Sequence, residues 1–172
     1  MHRLYARDLA EEQTRSLGHE RARRGQANRV KQVDEAKQNE VRALWNLVLE
    51  KRSASETLLN ARFFNDSLSR RSYYSAFHAV TLLFLLHDRT FSSHKQIIGM
   101  FNKEFVHTEL FSEQVARDLE YLFESRHTGD YDYHVSLDEE EAKEGLEKLS
   151  LILEAIRSYT GTKFGITLGA DR

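Results

Sequence analysis

Not one proline interrupts the 172 residues of this chain, and glycine occurs only 8 times. Average usage near 5% would place roughly eight or nine prolines in such a length. Proline removes a backbone donor and collides with the preceding helical turn, so a chain without it is free to build long helices. The predicted fold class is therefore all-α. Cysteine is absent as well, which excludes a disulfide framework, a thiolate metal site and a cysteine nucleophile, and which suits a reducing, cytoplasmic setting. The N-terminus is charged from Arg3 onward, and the longest nearly apolar stretch, Val80 to Leu86, is far shorter than the ~20 residues a membrane span needs. No membrane association is expected. A net charge of -2 excludes nucleic-acid binding by bulk positive charge, so any RNA contact has to come from a local patch.

Apolar spacing divides the chain into an extension and a helical domain. In residues 1–40 apolar side chains are sparse (Leu4, Tyr5, Leu9, Leu17, Val30, Val33) and charges dense, as in a solvated helical or disordered extension. From Val41 the pattern strengthens, and Val41, Leu44, Trp45, Val48, Leu58 and Leu59 predict a first helix ending near Ala61 to Phe64. Asn65 and Asp66 are placed to cap a second, running from about Ser67 to His87, with Tyr73, Phe77, Val80 and Phe84 on its core face. Ser93 and Gln96 form the pattern of a capping box for a third helix, which carries Ile97, Ile98, Phe101 and Phe105. Ser112 can cap a fourth, with Val115, Leu119, Leu122 and Phe123 inward. Ser136 and Glu139 predict a capping box for a fifth, whose core positions are Ala142, Leu146, Leu149, Leu153 and Ile156. Five helices with short connections pack most simply as an up-and-down bundle over residues 41–160, followed by a short tail, 161–172. The run from Val80 to Leu86 is apolar around most of its helix, which predicts a homodimer interface that absorbs the surplus.

Two groups of residues have the types needed for chemistry. Arg71, Tyr74, Ser75 and His78 fall at offsets that an α-helix gathers on one side. There Arg71 can grip a phosphate and His78 can move a proton; the plain alternative is a salt-bridged Arg and a packing His. The segment from Arg126 to His134, which includes His127, Thr128, Gly129, Asp130, Tyr131, Asp132 and Tyr133, is expected to end the fourth helix, with Gly129 suited to a left-handed cap. Its alternative is an Arg126 that simply bonds Asp130 or Asp132. The six basic residues from Arg15 to Lys31 could contact a phosphate backbone, but with no aromatic among them for base stacking they better suit a solvated face. The acidic stretch from Asp130 to Glu147 suits a capped helix exposed to water and shows no clean ligand spacing, and Asp8, Glu11 and Glu12 read as ordinary solvated helix charges. No metal or other cofactor is expected.

Taken together, Arg71, Tyr73, Tyr74, Ala76, Phe77 and His78, then Ser93 and His94 ahead of Ile97, the segment Phe101 to Phe105, and Arg126 followed by Asp130 and Tyr131 resemble the small stand-alone branch of the HEPN family. The resemblance runs from about Val41 to Tyr159. It implies a helical bundle that dimerises through its functional face, and membership of toxin–antitoxin pairs with a minimal nucleotidyltransferase. Active HEPN ribonucleases carry an Arg followed after four to six residues by a His, and they cut RNA without metal across the dimer. Here the positions after Arg126 that would hold that His are Tyr131, Asp132 and Tyr133, and His134 comes one place later. Tyr133 stands where a nucleotide-modified tyrosine would fall if Tyr131 takes the His position. The resemblance thus implies an RNA-binding or toxin-type partner of a nucleotidyltransferase, with Arg126, Asp130, Tyr131, Arg71 and His78 as the candidate catalytic residues. Two alternatives stay open: a metal-independent endoribonuclease in which His78 or His134 replaces the missing His, and a non-catalytic helical adaptor.

Overall fold

The structure, a computed structural model, describes residues 30–91, 93–131 and 137–169, and the side chains of all of these except 127–131. The described residues form five α-helices and contain no strand, an all-α bundle as predicted. Helix α1 spans Glu35–Asn60, α2 Tyr73–Leu86, α3 His94–Phe101, α4 Glu113–Tyr131 and α5 Glu139–Phe164. No described helix is long and apolar enough to cross a membrane.

Helix α1 starts six residues ahead of Val41, because Asp34 in extended backbone accepts from the Lys37 amide at 2.8 Å and fixes its first turn. Val41, Trp45, Val48 and Ser55 then form its buried stripe. After a turn through Arg62, which adopts a positive φ of 65°, the chain enters a helix whose opening stretch, Asp66–Ser72, is wound as a π-helix. Asn65 does not cap it. Its backbone is already helical, and its side-chain oxygen instead accepts from the Leu137 amide at 2.8 Å, joining this helix to the start of α5.

The wide π-turn is stabilised by a serine cluster. Widening takes carbonyls off the regular α ladder, and something must bond them where they are buried. Ser55 of α1 donates to the Ser67 carbonyl at 2.8 Å, and its hydroxyl also meets those of Ser67 at 2.9 Å and Ser72 at 2.8 Å. Ser67 donates in return to the Ser55 carbonyl. All three serines are wholly buried, and Leu68 between them enters the core. Gly145 of α5 stands opposite, where an added Cβ would lie 2.0 Å from the Leu68 Cδ1, so a larger residue there would force Leu68 to shift.

Helix α2 is the central element, packed against α1, α3, α4 and α5. Most of the run from Val80 to Leu86 is buried within the single chain: Thr81 and Leu85 are half-buried, and Val80, Leu82, Leu83, Phe84 and Leu86 are each at most 2% exposed. Burial of each such side chain is worth about 1.5–3 kcal/mol. The apolar circumference that suggested a second copy is thus covered by neighbouring helices of the same chain.

Ser93 caps α3, its hydroxyl accepting from the Gln96 amide at 3.2 Å. A short π-helical turn, Asn102–Val106, follows directly. At α5 the capping box is formed by Asp138 and Glu141, each side chain accepting from the other's amide at 2.9 and 2.8 Å. This corrects the Ser136 and Glu139 assignment; Ser136 itself lies outside the described residues. Helix α4 is tied to α5 by the buried Asp118, which accepts from Gln114 at 2.8 Å and pairs with Lys148 at 3.4 Å. Gly165, left-handed at φ 65°, ends α5. Beyond it Ile166 and Leu168 are buried, and the Trp45 indole donates to the Gly169 carbonyl at 2.8 Å, so most of the tail belongs to the packed body.

Candidate functional site

Three helices bring their polar residues to one place beside the start of α2. Helix α2 contributes Tyr73, wholly buried, and then Tyr74, Phe77 and His78, which are partly exposed on successive turns. From α3 comes its first residue, His94, positioned by the Ser93 cap. Its ring stacks on Phe77 with centroids 4.0 Å apart and planes 10° from parallel, and meets Tyr74 edge-on at 5.8 Å. The Nδ1 atom of His94 lies 2.5 Å from the Tyr73 hydroxyl. Helix α4 contributes Arg126, whose guanidinium sits over two rings at once, 5.3 Å from the centroid of Tyr73 and 5.4 Å from that of Tyr74. Each cation–π contact of this kind is worth about 0.5–2 kcal/mol, the more so when shielded from water.

Burial sets the charge states. The Tyr73 phenol is raised far above its ordinary value chiefly by burial, against an opposing pull and a hydrogen bond from Arg126. Burial also lowers His94, and the neighbouring Arg126 charge pushes the same way. His78 is lowered by burial first, then by Lys51 and His94. At neutral pH both imidazoles are therefore uncharged and the phenol keeps its proton, while Arg126 carries a permanent positive charge. Among the described residues no group of three or more His, Asp or Glu side chains is placed to hold a metal.

Of the residues named from the sequence, the structure brings Arg126 and His78 into one cluster, with the His78 ring 6.3 Å from Tyr74 and 5.7 Å from Phe77. Arg71 is placed differently. It is exposed on the π-turn, where the rotation per residue is smaller than in an α-helix, and among the described residues no hydrogen bond, ion pair or ring contact joins it to Tyr74 or His78. Ser75 also leaves the expected stripe, being buried with its hydroxyl on the Val48 carbonyl of α1 at 2.8 Å. Helix α4 continues to Tyr131, so Gly129 lies within a helix instead of capping it, and Asp130 and Tyr131 follow Arg126 on the same rod. The side chains of His127, Asp130 and Tyr131, and the residues Asp132, Tyr133 and His134, lie outside what the structure describes, as do residues 1–29 with most of the basic run.

Sequence reasoning gave His94 no role and assigned Tyr73 and Phe77 to the core. The available signal was a histidine directly after a capping serine, since such a position is held in place yet open on one side. Nothing local showed that its partner would be a tyrosine 21 residues earlier.

Residues 31–159 match the model of the HEPN domain. The chain is 34% identical over 111 residues to the UPF0332 protein of Thermotoga maritima, an alignment that covers 62% of this chain and 84% of that protein. It is also 32% identical over 110 residues to the Methanocaldococcus jannaschii protein named "Putative toxin MJ0142", covering 64% of this chain and 74% of that one. With the domain match spanning well over half its length, the chain belongs to the HEPN family.

Proposed function

We propose that this chain is a toxin-type HEPN module that engages RNA through the face formed by Arg126, Tyr74, His78 and His94. The observation that carries this reading is the guanidinium of Arg126 held over the Tyr73 and Tyr74 rings. Its planar, cationic fork can give two parallel bonds to a phosphate. Partly exposed aromatic rings beside it offer surfaces on which a base can stack. The toxin-named relative supports the toxin-type part of the reading. Binding and not cleavage is the core of the reading, because the spacing after Arg126 departs from that of the family's nucleases. The resemblance supplies the partner, a minimal nucleotidyltransferase acting as antitoxin, and a homodimer as the working unit.

Induced expression of the full chain, with and without a neighbouring nucleotidyltransferase gene, tests the toxin reading. Gel-shift titration of cellular RNA with the purified protein tests the contact itself. The expected result is arrested growth relieved by the partner, and RNA binding that Arg126→Lys weakens without lowering the melting temperature by more than a few degrees. RNA binding that is absent, or indifferent to Arg126→Ala, overturns the proposal. RNA cleavage in EDTA that is lost with Arg126→Ala would replace it with the endoribonuclease reading.

A further inference from the structure

The geometry points to Tyr73 as a positioning residue that fixes His94 in its Nε2–H form, so that His94 and Arg126 together present hydrogen-bond donors to a phosphate group, with His94 acting as a donor and not as a base. The argument begins with Tyr73, whose side chain is wholly buried. A buried hydroxyl must find its partners inside the protein. Two are in reach: the guanidinium of Arg126, and Nδ1 of His94 at 2.5 Å. Arginine has donors only. The phenol oxygen therefore accepts from Arg126, and its own proton points to Nδ1. Burial keeps that proton on the phenol. A neutral imidazole that accepts at Nδ1 carries its proton on Nε2. Stacking on Phe77 at 4.0 Å holds the ring plane, so the direction of the remaining N–H is fixed as well.

The polarity of the chain of bonds, Arg126 to Tyr73 to His94, decides the chemistry. A general base at His94 would need the ring proton on Nδ1 and a lone pair on Nε2. The observed partners impose the reverse. A permanent cation and a neutral N–H donor, separated by one tyrosine, suit the oxygens of a phosphate group, whether in an RNA backbone or as a free anion. This assignment rests on the Arg126 face being the binding face proposed above, and it adds the ligand chemistry and the role of each group.

Long-range proton–nitrogen spectra of the full-length protein labelled with 15N histidine read the assignment directly. At neutral pH, His94 is expected to show an unprotonated, hydrogen-bonded Nδ1 and a protonated Nε2, and addition of inorganic phosphate or of a short single-stranded RNA should move Nε2. Tyr73→Phe, which keeps the ring, should let a second tautomer appear. In phosphate titrations, loss of a donor to a charged ligand predicts that His94→Leu weakens binding about tenfold or more, while His94→Gln, which keeps a donor near the same place, weakens it about threefold. An Nδ1–H or doubly protonated His94 in the unmodified protein overturns the assignment, and so does phosphate affinity that His94→Leu leaves unchanged. The two proposals fail separately. RNA bound through Arg126 with His94 in the Nδ1–H form sinks this one alone, whereas phosphate shifting Nε2 without any RNA binding sinks the RNA reading alone.

Discussion

Helix α2 has a histidine–tyrosine pair near each end, and the two differ in instructive ways. At its start Tyr73 holds His94 at 2.5 Å with the rings 24° from parallel. At its end His87 holds Tyr159 of α5 at 3.0 Å with the rings 18° from parallel. The pairs lie about 21 Å apart along the helix axis, at the usual rise of 1.5 Å per residue. Burial lowers both histidines. Their surroundings part them. His87 is enclosed edge-on by Phe105 and Phe164, and of the two lysines that act on it, Lys31 lies over the Phe164 ring at 5.9 Å. His94 shares its tyrosine with Arg126. A buried histidine bonded to a tyrosine is by itself a way of closing the end of a bundle; a permanent cation on the same tyrosine makes the pair a candidate site.

The largest expected contrast comes from the two cations. Arg126→Ala should remove RNA binding, whereas Lys31→Met, which keeps an apolar stem over Phe164, should leave it unchanged. Equal losses in a gel-shift titration would erase the distinction. Next come the two tyrosines. Tyr73→Phe and Tyr159→Phe each delete one hydroxyl, which costs about 0.5–1.5 kcal/mol, with more at Tyr73 if its partners stay buried and unbonded. Only Tyr73→Phe should also weaken phosphate binding. Parallel chemical denaturation and phosphate titration would show whether stability and binding separate in this way.

The smallest effect is in the pH dependence, where the two pairs should act together. His78, His87 and His94 all have folded values below the ordinary 6.5. Below 6.5 the unfolded chain therefore binds more protons than the folded one, and stability falls as pH drops from 6.5 toward the folded values. Above 6.5 their contribution is fully present and flat. Melting temperatures across pH about 5 to about 8 should show this slope, reduced in His87→Leu. A melting temperature that rises on acidification would contradict the burial of these rings.

The helices were legible because apolar spacing is a local signal, as Ala142, Leu149, Leu153 and Ile156 show on α5. The start of that helix was not, since Ser136 with Glu139 and Asp138 with Glu141 satisfy the same pattern and only the backbone chooses between them. The π-turn was invisible for a different reason. It depends on Ser55, a dozen residues upstream on another helix, bonding the Ser67 carbonyl. Arg126 and His78 could be singled out because their side chains are chemically conspicuous. His94 could not be given its place, because a tyrosine that reads as core in a periodic pattern turned out to carry the hydroxyl that orients it.

That π-turn also sets the angular phase of everything after it. Seven residues, Asp66–Ser72, wind more loosely than an α-helix, so the half of the rod before them is indexed against the half behind. Before the step, Ser67 and Leu68 are keyed to α1 and to Gly145; behind it, Tyr73 and Tyr74 are keyed to Arg126. Deleting a single residue from the step would let it tighten to an α-turn, and because a π-turn holds about one residue more than an α-turn, the two halves would keep nearly the same phase. What such a deletion would cost is the widened turn itself, with the places that Ser67 and Ser72 hold against Ser55, and not the angle between the two halves.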